Sequence, residues 1–144
     1  MHTLRRVVQD LNLIHTAPGA TVLEAARAMC DGRVGAIAVL AGERLVGIFS
    51  ERDLMTRVVV AGRDPATTTV ESVMTHEVVT AGLEESVERC LDKMQRAGCR
   101  HLPVVQDARV LSMLSMRDLL KDEIEEQTEE IRHLRAYIHQ DVPA

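Results

Sequence analysis

The chain has 144 residues, 46% of them apolar, with a mean hydropathy of −0.03 and a formal net charge of −5, a composition that folds rather than stays disordered. Seventeen basic residues against 22 acidic leave no cationic excess for a nucleic-acid backbone, and no apolar run approaches the ~20 residues of a membrane span. The first six residues lack a signal-like apolar stretch, and three cysteines without a Cys-x-x-Cys pair read as reduced thiols, so a cytoplasmic protein is expected.

With Phe49 and Tyr137 the only aromatics, any core is aliphatic. A short strand is predicted at about 13–15. Val22, Ala25, Ala26 and Met29 then recur at i, i+3, i+4 and i+7, one face of a helix. Thr21 and Glu24 have the capping-box spacing that starts it, and Asp31-Gly32 is expected to stop it. An apolar strand at 36–40, a turn at Ala41-Gly42-Glu43 and a second strand at 45–49 follow, and a second helix opens at Ser50. Arg63-Asp64-Pro65 and the threonine run 67–69 mark a linker. The same order returns: a strand at about 78–80, a helix with Val87, Cys90, Leu91 and Met94 on one face, a stop at Ala97-Gly98, strands at 102–105 and 110–114, and a helix from Ser115. Residues 119–140 read as an unbroken helix. Its stripe of Ile124, Gln127, Ile131, Leu134 and Ile138 is spaced 3, 4, 3 and 4 apart, as in a short heptad pattern, which either folds back on the body or pairs with a second subunit.

The chain therefore repeats itself. Moved by 65 residues, 20–55 falls on 85–120 without a gap, and Ser50, Arg52, Asp53 and Leu54 coincide with Ser115, Arg117, Asp118 and Leu119. Each half is too small to bury much surface alone. The two halves are expected to pack together, share a core and leave a ligand cleft between them. The expected division is a first repeat at 7–62, a linker at 63–69, a second repeat at 70–122 and a helical tail at 123–140.

Val70-Glu71-Ser72-Val73-Met74-Thr75, His101-Leu102-Pro103-Val104-Val105, Gly47-Ile48-Phe49-Ser50-Glu51-Arg52-Asp53 and Ser112-Met113-Leu114-Ser115-Met116-Arg117-Asp118 resemble, in that ordered set, a tandem pair of cystathionine-β-synthase (CBS) domains over about residues 7–122. The resemblance implies an α/β fold of two β-α-β-β-α repeats related by a pseudo-two-fold, plus the C-terminal helix. It also implies a regulatory, non-catalytic protein that binds an adenosine-containing ligand such as AMP, ADP, ATP, S-adenosylmethionine or an NAD-type molecule; the alternative is a nucleotide-free interaction module that dimerises and binds a partner protein. Such pairs commonly form homodimers. With no effector domain recognisable in this sequence, a separate effector protein is expected. No cofactor beyond the nucleotide and no metal is implied.

Ser50-x-x-Asp53 and Ser115-x-x-Asp118 fit two roles. Each is a helix cap, with the serine satisfying a free backbone N–H. Each could also present a carboxylate to the two hydroxyls of a ribose, which is the role the resemblance gives the aspartate. Arg52, Arg117, Arg100 and His101 are candidates for phosphate. The copy-one positions matching Arg100 and His101 are Gly35 and Ala36, so the two sites are expected to be unequal, with Arg33 a substitute for the missing charge. By resemblance the adenine would meet the strands at His15 and Thr16 and at Val79 and Thr80, in a slot lined by Ile37, Ala38, Leu102 and Pro103. Ser112 stands where the family usually has glycine and is expected to add a side chain near the nucleotide path. No nucleophile elbow, phosphate loop or zinc-protease motif is present.

Overall fold

A computed structural model describes residues 3–8 and 13–141, without the side chains of Gln140 and Asp141. Part of the expected first repeat, residues 9–12, lies outside them. In order the elements are α1 (Leu4–Val7), β1 (His15–Thr16), α2 (Val22–Gly32), β2 (Ala36–Ala41), β3 (Arg44–Ser50), α3 (Glu51–Asp53, running into a π-helical stretch Leu54–Val59), a 3-10 turn (Val70–Ser72), β4 (Ala81–Gly82), α4 (Val87–Ala97), β5 (His101–Gln106), β6 (Arg109–Ser115) and α5 (Met116–Asp141).

The duplication is exact at the level of register. β1-β2-β3 and β4-β5-β6 are two three-stranded sheets, each with a parallel first pair and an antiparallel hairpin. Ala36 pairs with Ser50 and His101 with Ser115, and the register breaks between Val39 and Leu40 in one hairpin and between Val104 and Val105 in the other. The first strands sit slightly later than expected, at His15–Thr16 and Ala81–Gly82, because pairing with β2 and β5 picks the residues.

Thr21 caps α2 with the full reciprocal box to Glu24. The stop is not Gly32, which lies within the helix. It is Arg33, held in the left-handed region at φ 54, where α4 has Gly98 at φ 67. A β-carbon in that conformation costs ~1–2 kcal/mol, and a glycine's extra unfolded freedom offsets part of the gain from removing it. Arg33→Gly is therefore expected to stabilise the protein by ~0.5–1 kcal/mol in urea denaturation; a loss would mean that the arginine side chain, not its backbone, matters there. Arg33 is exposed and does not line the cleft described below.

The shared core expected from the small size of each half is replaced by two cores. One gathers Val22, Ala25, Met29, Ile37, Val39, Phe49 and Val58; the other Val87, Cys90, Met94, Leu102, Val104, Leu114 and Leu119. Each is completed by the segment that precedes the other half. Leu4 of α1 is fully buried in the second core, while Val70, Val73 and Met74 are buried in the first. The backbone bonds are reciprocal: Leu4 N–H to Glu85 O and Arg5 N–H to Leu83 O, against Val70 N–H to Ala20 O and Glu71 N–H to Pro18 O. This exchange ties the halves together through backbone and apolar contacts at once.

Candidate ligand-binding cleft

The exchanged segment 70–75 leaves an open cleft of about 920 Å³ between the halves. One wall comes from the end of β3 and the helix after it, including Ser50, Arg52, Asp53 and Arg57. The floor is Thr75 and 77–79, and the far wall is 97–101. Thr75 is held beside β3 by a bridge to Ile48, its N–H 2.9 Å from Ile48 O and its O accepting from Ile48 N–H at 3.0 Å.

Asp53 is the best-anchored acid in the cleft, only 7% exposed. Ser50 N–H and Ser50 Oγ both donate to its Oδ2 at 3.0 Å, and Asp53 N–H donates back to Ser50 Oγ at 3.2 Å. This is the cap expected from sequence. It consumes Oδ2 and leaves Oδ1 to a long contact from the Thr75 hydroxyl at 3.3 Å and to Arg57 Nε at 3.8 Å. Arg57 is also tied to the carbonyls of Val73 and Met74, at 3.2 and 2.8 Å.

His101 enters from the other half. A β-carbon built on Gly35 would lie 3.1 Å from Glu51 Oε1 and 3.2 Å from His101 Cε1, so the absence of a side chain at Gly35 lets these two groups approach. Burial lowers the His101 pKa from 6.5, opposed by the negative charges of Glu51 and Asp118 and assisted by Arg100. The unfolded chain therefore takes up the proton first as pH falls through 6.5, and His101 withdraws stability on the acid side. The fall in stability between pH 7.5 and 5.5 should be shallower in His101→Gln than in the parent; an unchanged slope would mean that other groups carry it.

Of the residues expected at the site, Ser50, Arg52, Asp53, Val79, Arg100 and His101 line this cleft. Ser115 and Asp118 form the equivalent cap on α5, with Ser115 N–H to Asp118 Oδ2 at 2.9 Å and Asp118 N–H to Ser115 Oγ at 3.1 Å. They and Arg117 do not line it, and the segment matching Thr75 on their side falls within residues 9–12, outside the described residues. His15 and Thr16 lie on β1, away from the cleft, and the Thr80 carbonyl is taken by Lys93 Nζ at 3.0 Å. The four residues expected to form the adenine slot do not line this cleft. Ile37 and Leu102 face the two cores, and Ala38 and Pro103, on the opposite faces of the same strands, are buried as well. Strand alternation spends these residues on packing, and the exposed apolar surface of the cleft comes instead from Ile48, Val78, Val79 and Met55. Ser112 does not reach the cleft either: it shares the core-facing side of β6 with Leu114, 1% exposed, and its hydroxyl has no hydrogen-bond partner in the structure.

Sequence reading missed Thr75, Arg57, Glu51, Glu77 and Cys99. Burial raises the pKa of the Cys99 thiol, and pushes Cys90 up to about 11, so neither is poised as a nucleophile. No group of histidine, cysteine and acidic side chains able to hold a metal ion occurs among the described residues, and no described helix is long and apolar enough to cross a membrane.

A family model described as "CBS domain" matches residues 7–60 and 70–125. The chain is 36% identical over 123 residues to the CBS domain-containing protein CBSX3, mitochondrial, of Arabidopsis thaliana, covering 82% of this chain and 60% of that one. It is 35% identical over 107 residues to CBSCBSPB2 of the same plant, covering 74% of this chain and 20% of that one. The chain thus spans less than two thirds of these curated relatives. Among solved structures, the CBS domain NE2398 superposes with a TM-score of 0.80 at 31% identity, over 85% of this chain and 97% of that one. The CBS-domain containing protein ATU1752 from Agrobacterium tumefaciens gives 0.78 at 25% identity, over 84% and 98%.

Proposed function

The chain belongs to the CBS-domain family, and on that premise we propose that it is a non-catalytic sensor whose cleft beside Asp53 takes an adenine nucleotide, of the AMP, ADP, ATP or NAD type. The observation that carries this reading is the convergence of unlike groups in one 920 Å³ space: a fixed carboxylate, two arginines of the opposing walls and an aliphatic patch. Asp53 Oδ1 is the acceptor for a ribose hydroxyl, with Thr75 yielding its long contact. Arg52 and Arg100 supply charge for phosphate, since Arg57 is committed to backbone carbonyls. Ile48, Val78 and Val79 offer the adenine an apolar face.

A ligand there touches both halves at once, Asp53 on one and Arg100 and His101 on the other. It favours whichever arrangement of the halves fits it and shifts the population accordingly. The output passes through pairing of two chains and a separate effector protein. Met55 and Val59 on the first half are exposed aliphatics suited to that pairing.

Titration calorimetry with AMP, ADP, ATP, NADH and S-adenosylmethionine tests the reading. At least one is expected to bind. Asp53→Asn should weaken that ligand on the order of ten- to a hundredfold, equivalent to the ~1.5–3 kcal/mol of a hydrogen bond to a charged group, measured at a temperature where thermal melting shows the variant still folded. No heat with any of them overturns the sensor and leaves a paired interaction module.

A further inference from the structure

α5 runs 26 residues, and the body buries only its beginning, the exposed Arg6–Glu129 ion pair at 3.7 Å reaching it further along. Met116, Leu119 and Asp122 pack inward, and from Gln127 onward every described side chain is exposed. Such a projecting helix is marginal without a partner surface. Its exposed aliphatics are not scattered. Leu120, Ile124, Ile131, Leu134 and Ile138 are between 48% and 64% exposed and lie on one heptad seam, with Gln127 at the remaining position. Between Leu120 and Ile138 isoleucine falls at the a positions (124, 131, 138) and leucine at two of the d positions (120, 134), the distribution that favours two parallel strands.

We propose that α5 forms a parallel two-stranded coiled coil with α5 of a second copy of this chain. The proposal rests on the pairing of two chains suggested above and fixes its direction. In parallel register Gln127 meets its own counterpart, so the two amides bond to each other. Glu130, at g, reaches Arg135, at e of the following heptad on the other helix, once on each side of the coil. Glu123 at g faces the neutral Thr128 at e, so no like charges meet across the seam. An antiparallel coil sets a against d: Gln127 then lies against isoleucine, and Glu130 loses Arg135. Pairing of the bodies would raise the effective concentration of the tails, which lets a seam of about three heptads close.

The test uses the full chain with exposed Cys30 changed to serine. Gln127→Cys is expected to form a disulfide-linked dimer on mild oxidation, and Ile131→Asp added to it, at an exposed position, to abolish the link. Sedimentation of the unlinked protein is read alongside. A dimer that persists in Ile131→Asp while the link is lost supports the coil and shows a separate contact between bodies. A dimer with no link at Gln127→Cys, or a link only when Gln127→Cys is combined with Ile131→Cys, overturns the parallel coil and leaves body pairing standing. A monomer at all concentrations overturns both.

Discussion

Replacing Leu4 by Ala is expected to cost ~2–5 kcal/mol of stability, the usual toll of emptying a buried leucine site, and to loosen the second half of the chain more than the first. Leu4 is fully buried among Ala81, Leu83, Val87 and the other residues of the second core, although it precedes the first half in sequence. Its backbone N–H is bonded to Glu85 O at 3.0 Å, so the cavity cannot close by withdrawing α1 without losing that bond too. Urea denaturation measures the loss, and amide hydrogen exchange locates it: protection should fall first in α4, β5 and β6. A loss below ~1 kcal/mol, within the ordinary spread of substitutions, or loosening centred on β2 and β3, would show that α1 is not part of the second core.

That exchange of leading segments was beyond reach of the sequence for a physical reason. The hairpins, caps and helix faces repeat at 65 residues, and the strands of both hairpins, the helix faces and the serine and threonine caps could be read from apolar period and turn chemistry. The leading segments correspond at 66, Leu4 to Val70 and Arg5 to Glu71. An ungapped comparison therefore stops short of them, and nothing in Val70 or Val73 says whose core they enter. The cleft was legible to the same depth. Ser50 and Asp53 announce a cap through their spacing, and the cap is there. Which strand residues face a ligand depends on the side from which the other half arrives, and so Ile37 and Leu102 were placed in a slot when alternation turns them to the cores. Thr75 owes its place to the exchanged segment, and Arg57 is tied to the same segment through the Val73 and Met74 carbonyls.

Gly47→Ser puts this dependence to the hardest test, because it copies into the first half the residue the second half already carries at Ser112. A β-carbon on Gly47 would stand 2.5 Å from Met74 Sδ and 2.9 Å from Thr75 O. The methionine can turn aside; the Thr75 carbonyl cannot, since it accepts from Ile48 N–H in the bridge that holds the cleft floor. Overpacking of this kind costs ~1–3 kcal/mol, and a buried hydroxyl with no partner, the condition of Ser112, adds ~1–3 kcal/mol. In the second half the residue matching Met74 is the shorter Val8, packed at the edge of its core. Gly47→Ser should therefore destabilise the protein strongly, and should weaken nucleotide binding beyond the stability loss, because Thr75 moves with the bridge and no longer meets Asp53. Adding Met74→Val should recover part of the stability, a positive coupling in the double-mutant cycle. Urea midpoints for the four proteins decide it. If Gly47→Ser lies within ~0.5 kcal/mol of the parent, as a free surface site would, the close approach of the exchanged segment to β3 is not what fixes the glycine.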